Sequence, residues 1–194
     1  MEQFLPTDHD VLQEMRRVKR HNKRKRLLWG LLIWSAIAAA AGWYIFNRYY
    51  TLAVVNGPGM NDTLLSGSVV LCRRTVGQAP KKGDVILFQH GTGWQIKRVA
   101  ALAGDQIAMS QKGKLWINGK ALEGYTTGTG ADADLQRHPL TVPDGEVFVL
   151  GDAYGASVDS RSAAFGTVPV EDVIGVMEYT VWPLYRADNP FQKK

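Results

Sequence analysis

Four stretches of the chain gather residue types that can break bonds. They are Asn56-Gly-Pro-Gly-Met-Asn-Asp-Thr-Leu64, residues 82–88 (KGDVILF), residues 95–105 (QIKRVAALAGD), and residues 147–175, which carry VFVLGD, SVDSR and FGTVPVEDVIG. A lysine amine acts as a general base only where burial lowers its pKa, and a hydroxyl becomes a nucleophile only within hydrogen-bond reach of a base. Lys97 alternates with Ile96 and Arg98 in a strand-like run. An isolated inward lysine among Ile96, Val99 and Leu102 is costly, so from its own neighbours Lys97 reads as a solvated lysine on a polar face. Asp159 and Arg161 read as a loop salt bridge, and Pro58-Gly59 as a type II turn pair. His90 and His138 lack partners at metal spacing, so no metal or cofactor is expected. Cys72 is the single cysteine, which excludes an internal disulfide; in its strand pattern it reads as a small core residue.

Short β runs must position these residues. They recur at Leu52–Val55, Ser68–Arg73, Asp84–Phe88, Ile96–Leu102, Gln106–Met109, Leu115–Ile117, Glu146–Leu150 and Val173–Val181. Turn signals divide them at Lys82-Gly-Asp84, Gly104-Asp105, Asn118-Gly119 and Asp144-Gly145. Asn118-Gly119 between two apolar-patterned runs predicts a two-residue hairpin. Many short strands at this spacing predict a mostly β fold, a barrel or sandwich. Residues 123–138 are polar and rich in Gly, Thr and Asp, and read as a solvent loop.

Ahead of the β pattern, Leu27 to Phe46 is 20 residues without a charge. At 1.5 Å per residue this spans roughly 30 Å, the thickness of the bilayer hydrocarbon. Trp29, Trp43, Tyr44, Tyr49 and Tyr50 lie near its ends, where amphipathic rings prefer the interface. Eight Lys/Arg precede it within residues 1–26, and only Arg48 follows in the next 20. The excess of positive charge places the N-terminus in the cytoplasm and the rest outside a plasma membrane crossed once. Ala36, Ala38 and Ala40 offer signal-cleavage patterns, but the apolar run is too long and continues beyond them. The expected organisation is a basic cytoplasmic segment (1–26, with a short amphipathic helix marginal on its own), a transmembrane helix (27–46) and an extracytoplasmic β domain (47–194). The net charge is +5, and +4 of it falls within residues 1–26. The β domain thus lacks the basic face a nucleic-acid partner needs; the expected partner surface is the lipid bilayer.

In order and composition the four stretches resemble the type I signal peptidases, which remove signal peptides from exported proteins. The resemblance runs from about Val54 to Val181. It is carried by IKRV followed by Gly104-Asp105, by the hairpin Trp116–Leu122, and by VLGD, then S-x-D-S-R, then FG-x-VP. Such enzymes use a serine nucleophile and a lysine base. The resemblance implies that Lys97 holds the base position and that Ser157 orients the lysine. It implies further that Asp159 and Arg161 form a structural ion pair, with Asp152 beside the site, and that Gly57, Pro58 and Met60 line the substrate cleft. A self-cleaving repressor shares the chemistry, but it would need a DNA-binding helix pair where residues 1–46 supply an anchor.

The nucleophile motif of that family reads G-x-S-M-x-P-T-L. Here it reads Gly57-Pro-Gly59-Met60-Asn-Asp62-Thr63-Leu64, with glycine at the serine position and Asp62 at the proline position. Glycine cannot form an acyl intermediate, and an acid at 62 near Lys97 would favour the charged lysine. Ala153, Ala101 and Ala103 are smaller departures. The expectation is a family member that recognises signal-peptide-like segments of exported precursors without cutting them, with pilin-like clients and a pilus or secretion assembly role as its specific form. The alternative is a working serine endopeptidase with an unusual nucleophile, or a knockout of one.

Overall fold

The computed structural model describes residues 8–61, 63–75, 78–110, 113–126, 139–153 and 155–183. It divides into two compact units, residues 1–48 and 49–194. The described part of the first is one helix, α1 (Asp8–Tyr49, 42 residues). Nothing interrupts it at residue 26: residues 23–29 hold no proline, glycine or capping residue, and the Lys/Arg run consists of good helix formers. The separate short helix expected before the apolar run is therefore continuous with it. Within α1, Lys23–Tyr49 is long and apolar enough to cross a membrane.

The second unit is mostly β, and every strand pairing is antiparallel. Its strands are β1 (Tyr50–Val54), β2 (Val69–Arg74), β3 (Val85–His90), β4 (Gly93–Leu102), β5 (Gln106–Met109), β6 (Lys114–Ile117), β7 (Lys120–Thr126), β8 (Leu140–Thr141), β9 (Glu146–Leu150), β10 (Val168–Pro169) and β11 (Val173–Trp182). Seven form one sheet in the order β1-β2-β11-β3-β4-β9-β10, and four form a second in the order β7-β6-β5-β8. Asn118 and Gly119 both adopt positive φ (50° and 75°) and close the β6–β7 hairpin, as a type I′ turn requires.

Three strands depart from the sequence reading. β7 runs to Thr126, where that residue pairs with Lys114, so only residues 127–138 of the expected loop remain, and these lie outside the described residues, as does His138. β8 and β10 are two residues each and exist through pairing with β5 and β9. Strands that short carry no periodicity of their own.

Three apolar clusters hold the β unit. One joins Ile107, Leu115, Ile117, Phe148 and Leu150. A second joins Val55, Met60, Leu64, Val70, Cys72 and Leu87. A third joins Ile86, Phe88, Val99, Val149 and Val173. Burial pushes the Cys72 thiol up to about 12, with a smaller push from the Glu178 charge, which fits an inert core residue. β3 and β4 lie centrally and are covered on both faces: Val85–Phe88 and residues 97–101 are all buried. That double burial decides the environment of the site.

Candidate active site

Three pieces of chain converge at one end of the large sheet. The first leaves β1 through Gly57 (φ 85°) into a one-turn 3-10 helix, Pro58–Met60, that carries Gly59. The second is β4, which brings Lys97 opposite Ile86 and Arg98 opposite Val85 and Leu150. The third follows β9: Gly151 and Asp152, then residues 155–162 with Ser157, Asp159 and Arg161.

Lys97 is 7% exposed. Its Nζ donates to Ser157 Oγ at 2.7 Å. Gly59 closes the triangle without contributing a side-chain atom. A Cβ at this position would stand 3.1 Å from Lys97 Nζ and 3.4 Å from Ser157 Oγ. A serine there would put its hydroxyl within hydrogen-bond reach of the amine. The Gly59 carbonyl is held by the Ala153 N–H at 3.0 Å. A Cβ on Gly151 would collide with Ser157 Oγ and with that same carbonyl, so glycine at 151 is what lets the two segments meet.

Two buried ion pairs flank this triangle. Arg98 grips Asp152 in bidentate fashion, Nε to Oδ1 at 2.8 Å and Nη2 to Oδ2 at 2.6 Å, and Nη1 donates to the Gly83 carbonyl at 3.0 Å. The Thr63 hydroxyl donates to Asp152 as well, tying the Gly59 loop to the end of β9. Arg161 grips Asp159 the same way at 2.7 and 2.8 Å, and Asp159 also accepts from the Gly151 N–H. Thus the structure brings Gly59, Lys97, Ser157, Asp152, Asp159 and Arg161 together. Asp62 lies outside the described residues. Of the other nearby hydroxyls, Thr63 serves Asp152, Ser66 accepts from the Gly57 N–H, and Ser68 is buried; none reaches Lys97.

Residue reasoning missed Arg98, Thr63 and Gly151. Arg98 is more deeply buried than Lys97, and the available signal was Asp152: a buried carboxylate requires a cation, and Arg98 is the neighbour of the site lysine.

A groove of about 750 Å³ opens onto Gly59 and Lys97. Gly57, Pro58, Gly59, Met60 and Lys97 line one end, and β1 and the start of β4 line its length. Met60 lines it while packing mostly into the core. β1 is the outer strand of its sheet, so its far edge offers unpaired backbone groups to an extended chain.

Burial is the largest influence on Lys97 and holds its pKa below the ordinary 10.5. Asp159 pulls it back up, Arg161 pushes it down, and Asp152 pulls it up. Between the folded value and 10.5 the unfolded chain binds the proton more readily. Stability therefore climbs as pH rises through that window, and the cost of the buried amine is fully present below it. Lys97→Met should flatten this climb and raise the denaturation midpoint at pH 7 more than at pH 10. Chemical denaturation of the full chain in detergent at both pH values measures it.

A buried lysine hydrogen-bonded to a serine hydroxyl on an antiparallel β scaffold defines the site. The chain belongs to the signal peptidase family, peptidase S26, whose family model matches residues 26–182. It is 30% identical over 186 residues to signal peptidase I of Bacillus caldolyticus, covering 85% of this chain and 94% of that protein. It is 29% identical over 174 residues to signal peptidase I S of Bacillus subtilis strain 168, covering 84% and 92%. A solved signal peptidase I from Enterococcus faecalis V583 is 29% identical, with a TM-score of 0.40 over 51% of this chain and 97% of that one.

Proposed function

We propose that this protein is a membrane-anchored member of the family that binds signal-peptide-like segments of exported precursors and does not cleave them. One observation carries the reading: the position facing Lys97 Nζ at 3.1 Å has no side chain. In this reading Lys97 holds the base position, Ser157 orients it, and Asp159–Arg161 and Asp152 hold the frame. Loss of the serine from other serine peptidases costs on the order of 10⁶ in turnover. Binding does not need that oxygen. An extended segment adds to the edge of β1 and lies along the groove towards Gly59. α1 serves as a single transmembrane anchor, with its basic N-terminal end in the cytoplasm and the β domain outside. A pilus or secretion assembly chaperone with pilin-like clients is the specific form this role takes.

A second reading has one observation in its favour: Lys97 is kept buried beside a hydroxyl, as a base would be. In that reading a water activated by Lys97 cuts slowly. The experiment compares purified full-length protein in detergent with a fluorescent precursor peptide, followed by anisotropy and by chromatography. Binding without product formation is the expected result. Cleavage that disappears in Lys97→Met would sink the proposal and establish the second reading.

A further inference from the structure

The charge pattern around Lys97 says more about the ligand. Each described carboxylate beside the site has its own guanidinium: Asp152 has Arg98 and Asp159 has Arg161, both at ion-pair distance. Lys97 has neither. Its one hydrogen bond among the described residues goes to a neutral hydroxyl, Ser157 Oγ, which finds no described acceptor for its own proton. When protonated, Lys97 is therefore a buried ammonium with no carboxylate at ion-pair distance among the described residues, Asp159 and Asp152 acting on it only from further off, an arrangement that a ligand anion relieves.

The missing side chain gives such an anion its route. Glycine leaves open the space beside both donors, where a Cβ would stand 3.1 Å from Lys97 Nζ and 3.4 Å from Ser157 Oγ, and Gly59 and Lys97 both line the groove. The groove is bounded by Leu52–Val55 and Gly93–Ile96, and Gly59, Lys97, Ala156 and Val158 also line it. An uncut precursor passing this point presents only a neutral carbonyl to the amine. A chain that stops there presents a carboxylate.

Resting on the proposed binding role, we infer that the site selects the free C-terminal carboxylate of an extended, apolar peptide, that is, a segment already cleaved elsewhere. Lys97 Nζ is its counter-ion and Ser157 Oγ its second donor. The step is non-covalent; no bond forms or breaks. An oxygen of the carboxylate occupies the space that a residue-59 hydroxyl would take.

The test uses the full-length protein in detergent and three versions of one short peptide ending in Ala-Gln-Ala: the free acid, the C-terminal amide, and the same peptide continued by several residues. Isothermal titration should give the acid about tenfold tighter binding than the amide, the effect of one charge-assisted contact. Lys97→Met should erase the acid preference, bringing acid and amide to equal affinity. Gly59→Ala, whose methyl blocks the approach, should shrink it. Equal affinity for acid and amide, or tightest binding of the continued peptide, overturns this inference and leaves the binding role standing. No binding of any version overturns both. Tight binding of a fatty acid with no preference for the peptide acid overturns the inference as well. If Lys97→Met does not fold, the acid–amide comparison on the unaltered protein decides alone.

Discussion

Gly59→Ser should raise precursor cleavage from background by about 10³-fold or more, a partial return of what a missing nucleophile costs. The backbone accepts the change, because Gly59 is not among the glycines held at positive φ, unlike its neighbour Gly57. The new Cβ would stand 3.1 Å from Lys97 Nζ, a tight contact, but with the free end of a flexible side chain that can shift by a few tenths of an ångström. The hydroxyl then lies beside an amine whose pKa burial has already lowered, which is the pairing a Ser–Lys dyad needs. Peptide cleavage followed by chromatography, and covalent labelling by an acylating peptidase inhibitor followed by mass spectrometry, measure the gain. Gly59→Ala has the same Cβ without the oxygen and should stay at background. Gly59→Ser combined with Lys97→Met should fall back to it. If the serine variant neither cleaves nor labels, the loss of activity reaches beyond one atom, and departures such as Ala153, whose N–H holds the Gly59 carbonyl, become the next suspects.

Most of the β pattern was readable because each of the longer strands carries its own signal. Glu146–Leu150 stands where its valine-rich run puts it, Gln106–Met109 follows the Gly104-Asp105 turn signal, and the Asn-Gly hairpin forms on its turn chemistry. β8 and β10 were not readable because two residues have no period. Lys97 shows the deeper limit. Alternation locates a polar face only when one face of the sheet meets water. β4 is covered on both sides, so residues 97–101 are all buried and neighbouring residues gave no hint of which way the lysine turns. The motif resemblance supplied that position instead. Arg98 escaped for the same reason: a charge in a doubly covered strand has no sequence signature apart from a distant carboxylate.

Asp152→Ala should be the most damaging single substitution for the fold. It strips the carboxylate from a guanidinium that is 1% exposed, and breaking a buried pair from one side costs about 3–5 kcal/mol. For a chain of this size each kcal/mol moves the melting temperature by about 2–4 °C, so a fall of about 6–20 °C is expected. Thermal melts of the full chain in detergent, followed by near-UV circular dichroism, read it. Asp152→Asn keeps most of the hydrogen-bond geometry and drops the charge, and should fall between. Arg98→Met combined with Asp152→Leu removes both charges and should recover much of the loss, because the pair's own formation is offset by desolvation. The Gly59 site separates this from an ordinary core defect. Thr63 ties the Gly59 loop to Asp152, and Arg98 lies next to Lys97 on β4. The Asp152→Asn variant should therefore weaken peptide binding at temperatures where it is still folded. If Asp152→Ala melts within a degree or two of the unaltered protein, the pair is not what holds the Gly59 loop against the end of β9.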